Sequence, residues 1–195
     1  MIARTLILLA AGSSRRFGTG NKLLYPVNDV PMYRRTLDLL CGFADEQTAL
    51  LVMTNTAEVQ TYCKSRGILC RPSIRASKGI SYTIRESLTQ APESRQYLFF
   101  VADQPYLSRN TIERFLTECT DMTQGLACLM ADGVPGNPCC FDARYLPELM
   151  ALTGDRGGRV ILNRHPQDVR FVPALAEELR DIDFLPCNTG GIPVE

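Results

Sequence analysis

Three cations and three glycines are concentrated in a short segment near the start of the chain. An apolar run ends at Ala10, and the sequence continues as AGSSRRFGTGNK, which carries Arg15, Arg16 and Lys22. Glycine and alanine let a backbone approach a ligand closely, consecutive N–H groups can surround an anion, and the cations supply charge. The segment therefore predicts an anion site. The alternative is a glycine-rich turn whose cations are only solvated.

The spacing of this segment excludes two common phosphate-binding motifs. A P-loop places Lys directly after Gly and Ser or Thr directly after Lys, whereas here Asn21 separates Gly20 from Lys22. The dinucleotide fingerprint G-x-G-x-x-G also fails, because Gly12 has no glycine two residues later and no acidic residue ends the second predicted strand. A different phosphate-binding loop is therefore expected.

A second candidate position is the carboxylate in the segment VADQP. Asp103 follows an apolar run and precedes Gln104 and Pro105. In open α/β sheets, ligands bind where strands reach their carboxyl ends, which would bring Asp103 to the same edge as the loop after Ala10. A turn-initiating aspartate is the structural alternative.

Apolar strand-like runs alternate with segments of helical periodicity along the chain. The predicted strands are 5–10, 48–54, 68–71, 97–102, 125–130 and 169–172, and the predicted helices lie within 31–44, 57–67, 81–90 and 110–119. This order predicts an α/β protein with a mostly parallel sheet. Because the sequence contains no repeat or linker, we expect one domain over residues 1–195.

Composition excludes several classes of partner. Lys plus Arg equals Asp plus Glu, at 21 each, so no global charge attracts nucleic acid or an acidic membrane. The apolar runs are too short to span a bilayer, and the first residues do not resemble a signal peptide, which predicts a cytoplasmic protein. The eight cysteines are scattered through apolar segments, and we expect them to be reduced core residues.

The segment LILLAAGSSRRFGTGNKLL resembles the L-A-A-G-x-S-x-R-x-G…K signature of the MobA-like nucleotidyltransferases. Five further segments match motifs of this family in order: GISYTIRESL, VADQPYL, GVPGNPCCF, GDRGGRVIL and DIDFL. The matches extend over residues 6–185. The resemblance implies a Rossmann-like three-layer αβα fold, and within the family the molybdenum cofactor cytidylyltransferases are the most similar.

The resemblance also implies a reaction and a nucleotide site. The expected enzyme transfers CMP from CTP to the phosphate of molybdenum-bearing molybdopterin, releases pyrophosphate and uses Mg²⁺. Arg16, Lys22 and Asp103 would be the catalytic residues. The implied nucleotide-binding residues are Leu9, Ala10, Ala11, Gly12, Ser13, Ser14, Arg16, Lys22, Ser81 and Asp103. Ser81 is alternatively a helix N-cap.

Metal and acceptor residues follow from the later motifs. Asp103 and Asp183 would hold Mg²⁺, with Asp181 as the alternative to Asp183 because the family's Thr-Pro is missing after that aspartate. The implied acceptor-binding residues are Gly136, Asn137, Pro138, Asp155, Gly157 and Arg159. A surface cation is the alternative role for Arg159.

Ala10, Ala11 and Gly12 favour CTP over GTP, since this triplet accompanies cytidylyl transfer in the family and the Ala11 methyl group narrows the pocket. A molybdenum hydroxylase apoenzyme is the expected downstream partner. Two alternatives stay open: a cytidylyltransferase for a sugar phosphate or methylerythritol phosphate, and a non-catalytic molybdopterin carrier.

Overall fold

The computed structural model describes residues 2–12, 14, 17, 20–120 and 122–183. Its strands are β1 (Ile2–Ala10), β2 (Pro26–Val27), β3 (Val30–Pro31), β4 (Thr48–Thr54), β5 (Leu69–Arg71), β6 (Ser94–Val101), β7 (Leu126–Ala131), β8 (Val134–Asp142) and β9 (Val169–Pro173). Its α-helices are α1 (Met32–Cys41), α2 (Ala57–Ser65), α3 (Ile80–Gln90), α4 (Arg109–Thr120), α5 (Leu146–Met150) and α6 (Arg159–Arg164). Within the described residues, none of the helices is long and apolar enough to cross a bilayer.

Seven strands form one sheet in the order β5-β4-β1-β6-β8-β7-β9, while β2 and β3 form a separate hairpin. Strand β1 pairs in parallel with β4 and β6, and β9 pairs in parallel with β7; β8 is antiparallel to both of its neighbours. The sheet is therefore mostly parallel, as the alternating pattern predicts.

Helices cover both faces of the sheet because successive strand residues point in opposite directions. Leu6 and Leu8 of β1 belong to the core cluster that contains residues of α1, α2 and α4. Ile7 belongs to the cluster that contains residues of α3, α5 and α6. Both clusters consist of fully or almost fully buried side chains. The expected three-layer αβα architecture is confirmed.

The main omission of the sequence interpretation concerns β8, because none of the predicted strands covers Val134–Asp142. Pro135, Gly136 and Pro138 break the apolar pattern of this strand. They lie beyond its pairing with β6, which extends only from Asp142 to Cys139. Prolines are tolerated in this part of the strand because no partner on the β6 side requires their missing N–H groups. The antiparallel direction of β8 brings residues 134–138 to the carboxyl edge of β6.

The prediction of free cysteines is confirmed for the part of the chain that the structure describes. Seven cysteines there are free, and five of them are buried. Cys187 lies outside the described residues.

Gly79 precedes α3 and connects two segments that are distant in the sequence. Its φ is 117°, and an added Cβ would overlap the carbonyl group of Gly154. The same carbonyl oxygen accepts a hydrogen bond of 3.2 Å from the N–H of Ser81. The beginning of α3 can therefore approach the loop at residue 154 only because residue 79 lacks a side chain.

We expect Gly79→Ala to lower the free energy of unfolding by ~3 kcal/mol, because the energetic costs of the strained backbone and of the steric overlap add up. The matched control is Gly133→Ala, where φ is 75° but no atom lies within 4 Å of the added Cβ. That control carries only the backbone cost, of about 1 kcal/mol. Urea denaturation measures both values, and equal losses in the two variants would contradict the close packing at Gly79.

Candidate functional site

The loop after β1 is held by short-range hydrogen bonds from Ser14 and Asn21. The Ser14 hydroxyl accepts a bond of 3.2 Å from the Lys22 N–H, and the Asn21 side chain accepts one of 3.0 Å from the Leu23 N–H. Asn21 also donates to the Thr56 hydroxyl at 2.7 Å, which attaches the loop to the end of β4. The loop thereby presents Lys22 at the carboxyl edge of the sheet.

The Lys22 ammonium lies between two carboxylates. Its Nζ is 2.6 Å from Asp103 Oδ2 and 2.9 Å from Asp183 Oδ1. The Lys22 side chain is 12% exposed, whereas those of Asp103 and Asp183 are 24% and 40% exposed. Burial alone would lower the pKa of Lys22, but attraction to Asp103 and then Asp183 outweighs it and raises that pKa. The ammonium is therefore fully charged at neutral pH.

Backbone contacts bring the two carboxylates together. Asp103 follows β6, whose continuation is fixed to β1 by a 3.1 Å bond from the Ala102 N–H to the Leu9 carbonyl. The N–H of Ile182 donates to the Asp103 carbonyl at 3.1 Å, which places Asp183 beside Asp103. Asp181 is exposed, yet partial desolvation and then repulsion from Asp103 raise its pKa. The ion pair with Lys22 thus uses Asp183 and not the alternative Asp181.

A cleft of about 440 Å³ opens in front of this charged group. Its lining includes most of the expected nucleotide-binding residues: Leu9, Ala10, Ala11, Gly12, Ser14, Lys22 and Asp103. Ser13 and Arg16 lie outside the described residues. The sequence interpretation missed Phe17, Leu23, Ala76, Ser77, Gly79, Ile80, Thr83 and Val101, which also line the cleft. All of them except Ala76 and Ser77 lie in segments that match family motifs, but the motifs did not single out these side chains.

Ser81 does not line the cleft. It is completely buried in the first turn of α3, and its hydroxyl has no partner among the described residues. The N-cap position of α3 belongs to Gly79, so the alternative role of Ser81 as an N-cap is wrong.

A smaller pocket of about 180 Å³ adjoins the cleft and shares Leu9, Ile80 and Val101 with it. Four expected acceptor-binding residues line this pocket: Gly136, Asn137, Gly157 and Arg159. Asp155 lines the larger cleft instead, and Pro138 lines neither. The remaining walls are largely apolar and include aromatic side chains from β6 and β8. The structure therefore separates a charged cleft from an apolar pocket.

Glu86 fixes the segment that precedes α3, and this segment forms one wall of the cleft. Its carboxylate accepts hydrogen bonds of 2.8 Å from the Ser73 hydroxyl and 2.9 Å from Arg75 Nε. Asn55 adds two bonds to the backbone of Ser73. Burial alone would raise the pKa of Glu86, but the bonds from Arg75 and Ser73 outweigh it and lower that pKa. Sequence reasoning found no role for Glu86, because its partners lie outside its own helix.

The two carboxylates on Lys22 fit the requirements of a small divalent cation. Both are hard oxygen donors at the cleft wall, and they converge on a single cationic atom. Mg²⁺ commonly takes one or two carboxylates and completes its shell with water and phosphate oxygens. The described residues contain no group of three or more His, Cys, Asp or Glu that could hold a metal ion.

A sequence profile of the MobA-like NTP transferase domain matches residues 6–169. The chain belongs to this family. Members of the MobA-like family are nucleotidyltransferases, and the cleft with its charged residues lies within the matched region except for Asp183.

One curated relative is named as an oxidoreductase and not as a nucleotidyltransferase. Nicotine blue oxidoreductase of Paenarthrobacter nicotinovorans is 27% identical over 192 residues, which cover 92% of this chain and 91% of that protein.

Solved structures share the fold. Rv0371c of Mycobacterium tuberculosis has a TM-score of 0.76 at 23% identity, covering 94% of each chain. A manganese complex of the same protein has a TM-score of 0.70 at 20% identity, with 90% of each chain covered. A CMP:2-keto-3-deoxy-manno-octonic acid synthetase complexed with CTP has a TM-score of 0.69 at 12% identity, with 89% of this chain and 90% of that chain covered.

We expect Glu86→Gln to reduce stability by ~2 kcal/mol at neutral pH, because a buried carboxylate loses charge-assisted hydrogen bonds. A lowered pKa stabilises the fold above the ordinary value of 4.5, and this contribution disappears as the pH falls through the lower folded value. The difference between the wild type and the variant should therefore shrink on acidification. Urea denaturation between pH 7 and pH 3 measures it, with the exposed Glu46→Gln as the control.

A difference between wild type and Glu86→Gln that is independent of pH would contradict the role of the carboxylate charge. Glu46→Gln should follow the wild-type curve at all pH values.

Proposed function

We propose that this nucleotidyltransferase transfers CMP from CTP to the phosphate of molybdenum-bearing molybdopterin and releases pyrophosphate. The observation that carries the proposal is the meeting of Lys22, Asp103 and Asp183 at the cleft formed by the loop after β1. This combination of one ammonium and two carboxylates suits a triphosphate accompanied by a divalent cation. The intact ion pair also favours an enzyme over a non-catalytic carrier.

The proposed chemistry is an in-line displacement at the α-phosphorus of CTP. An oxygen of the acceptor phosphate forms the new bond to phosphorus, and the bond to the pyrophosphate oxygen breaks. Because the attacking oxygen is already anionic, the reaction needs no covalent nucleophile and no general base. The chain's own residues position two polyanions and reduce their repulsion. Lys22 and Arg16 would bind phosphate oxygens, with Ser13, Ser14 and the backbone of residues 11–12 around the triphosphate.

Asp103 and Asp183 would hold Mg²⁺, which when bound neutralises charge on the phosphates and on the leaving pyrophosphate. The manganese complex of Rv0371c supports a divalent cation in this fold. Lys22 contacts the same two carboxylates, and its ammonium would bind phosphate oxygens when the nucleotide is present. The residue thus balances the carboxylate charges before the nucleotide arrives.

Two observations support CTP as the donor. Ala11 lines the cleft, where its methyl group reduces the space for a purine; one methyl group is worth about 1–3 kcal/mol of discrimination. The synthetase solved with CTP has the same fold.

The smaller pocket favours molybdopterin over a sugar phosphate or methylerythritol phosphate. Of its side chains, only Asn137, Cys139 and Arg159 carry polar groups, whereas Phe99 and Phe141 provide aromatic surface. A polyol needs a hydrogen-bond partner for nearly every hydroxyl that it buries. The flat pyrimidinone face of a pterin instead gains from contact with aromatic and apolar surface, and Asn137 and Arg159 would supply partners for its polar edge. The ring of the acceptor would therefore occupy this pocket, with its phosphate directed toward the cleft.

The first experiment is a pyrophosphate-release assay with CTP or GTP, Mg²⁺ and molybdenum-bearing molybdopterin. We expect release that requires the acceptor and prefers CTP. Asp103→Ala should reduce the rate by at least about 1,000-fold with its circular dichroism spectrum unchanged, because it removes charge stabilisation of the transition state. Pyrophosphate release with a sugar phosphate but not with molybdopterin would show that the acceptor is a sugar phosphate. Turnover by Asp103→Ala at the wild-type rate would refute the catalytic role of Asp103.

Two glycines distinguish the nucleotide cleft from the acceptor pocket. Among the described residues, an added Cβ at Gly12 meets no atom within 4 Å, and one at Gly157 only touches Ile80 Cγ2 at 3.8 Å, so these residues leave room for Ala at both positions. We expect Gly12→Ala to raise the KM for CTP, and Gly157→Ala to raise the KM for the acceptor, each by about tenfold.

Each variant should leave the other KM within about twofold, as expected for independent sites. Initial rates at varied CTP and acceptor concentrations measure both values. If Gly157→Ala raised the KM for CTP instead, the assignment of the smaller pocket to the acceptor would be wrong.

A further inference from the structure

The segment that follows β9 crosses the carboxyl edge of the sheet and reaches Asp183. We call residues 174–183 the C-terminal strap. Its sequence is ALAEELRDID. Ala174 and Leu179 pack against the core, whereas Leu175 is exposed, and hydrogen bonds supply the rest of the attachment. The strap begins with a bond of 2.9 Å from the Ala174 N–H to the Met130 carbonyl on β7, two strands away from β6, which leads to Asp103.

Glu178 is the centre of this attachment. Its carboxylate is 7% exposed and accepts three hydrogen bonds: 3.1 Å from the Ser108 N–H, 3.0 Å from the Thr111 hydroxyl and 3.2 Å from the Leu175 N–H. None of the ion pairs between described residues includes it. Dipolar donors, two of them at the N-terminal end of α4, therefore stabilise its charge.

Both carboxylates of the proposed metal site are connected to this attachment. Asp103 begins the loop that leads through Ser108 into α4, and Asp183 ends the strap. Glu178 bonds to the loop at Ser108 and to the strap at Leu175, so it fixes one relative to the other. Gln104 Nε2 adds a bond of 3.0 Å to the Leu179 carbonyl, and the Ile182 N–H reaches the Asp103 carbonyl at 3.1 Å.

We propose that Glu178 is a positioning residue, which fastens the C-terminal strap to the Asp103 loop and thereby holds Asp183 at the metal site. This inference rests on the proposed function, in which Asp103 and Asp183 bind a divalent cation together. Glu178 touches neither Lys22 nor the cleft. Its effect would pass through the strap, whose last residues supply the second carboxylate.

The variant Glu178→Gln tests the proposal. Glutamine has the same shape as glutamate, but its amide NH₂ group would face one of the three donors and could not accept a hydrogen bond from it. Loss of a residue that holds a metal ligand in place typically weakens metal binding by 10–100-fold. We therefore expect the Kd of Mn²⁺ in the presence of CTP to rise about tenfold or more. Electron paramagnetic resonance of free Mn²⁺ measures this Kd without turnover. Hydrogen exchange at the Ile182 amide should accelerate by a similar factor.

Two comparisons separate positioning from a general loss of stability. Glu177→Gln changes the neighbouring exposed carboxylate and should leave the Mn²⁺ Kd and the exchange rate unchanged. Thr111→Val removes one donor to Glu178 and should shift both quantities in the same direction by a smaller factor. It also provides a test if Glu178→Gln does not fold. In a turnover assay, Glu178→Gln should raise the KM for the metal while kcat at saturating metal falls by less than about threefold.

The outcomes are distinct. An unchanged Mn²⁺ Kd in Glu178→Gln and Thr111→Val, with or without a lower melting temperature, would overturn the positioning role and leave the nucleotidyl transfer intact. A weakened Kd in both variants of a protein that releases no pyrophosphate with any acceptor would support the positioning role and refute the proposed function. A fall in kcat of Glu178→Gln with an unchanged KM for the metal would also overturn the positioning role.

Discussion

The ammonium of Lys22 between the carboxylates of Asp103 and Asp183 is the interaction on which the site depends. The three residues come from the loop after β1, the end of β6 and the C-terminal strap, and the rest of the fold brings these segments together. One positive and two negative charges leave one net negative charge on this group of three side chains. The group is therefore stable without a ligand, yet it retains attraction for a divalent cation that accompanies a polyphosphate.

Much of the fold was predictable because its strongest elements have local signals. Strands β1, β4 and β6 are buried on both faces and appear as apolar runs, and the helices between them have one apolar face. Strand β8 gave no such signal. Its prolines are compatible with a strand only because pairing with β6 stops at Cys139, and that boundary is a property of the assembled sheet.

The residues of the site also divide into those that have a local sequence signal and those that have none. Lys22 and Asp103 belong to motifs that follow strands, so their positions at the carboxyl edge follow from the sheet topology. Glu86 and Glu178 could not be found in this manner. Glu86 contacts residues 11 and 13 positions away, and Glu178 bonds to Ser108 and Thr111, which lie 70 and 67 positions earlier. In a linear sequence, each is simply an acidic residue in a helix or a polar segment.

The distribution of the site along the chain affects how the protein acquires it during synthesis. Lys22 and Asp183 are separated by 161 positions, whereas Lys22 and Asp103 are separated by 81. Folding of a nascent chain proceeds from its N-terminal part. A ribosome-bound chain that has exposed β1 to β6 can thus form the first ion pair and the loop around it. The second carboxylate becomes available only after the C-terminal strap has emerged, so the complete ion pair forms later than the pair with Asp103.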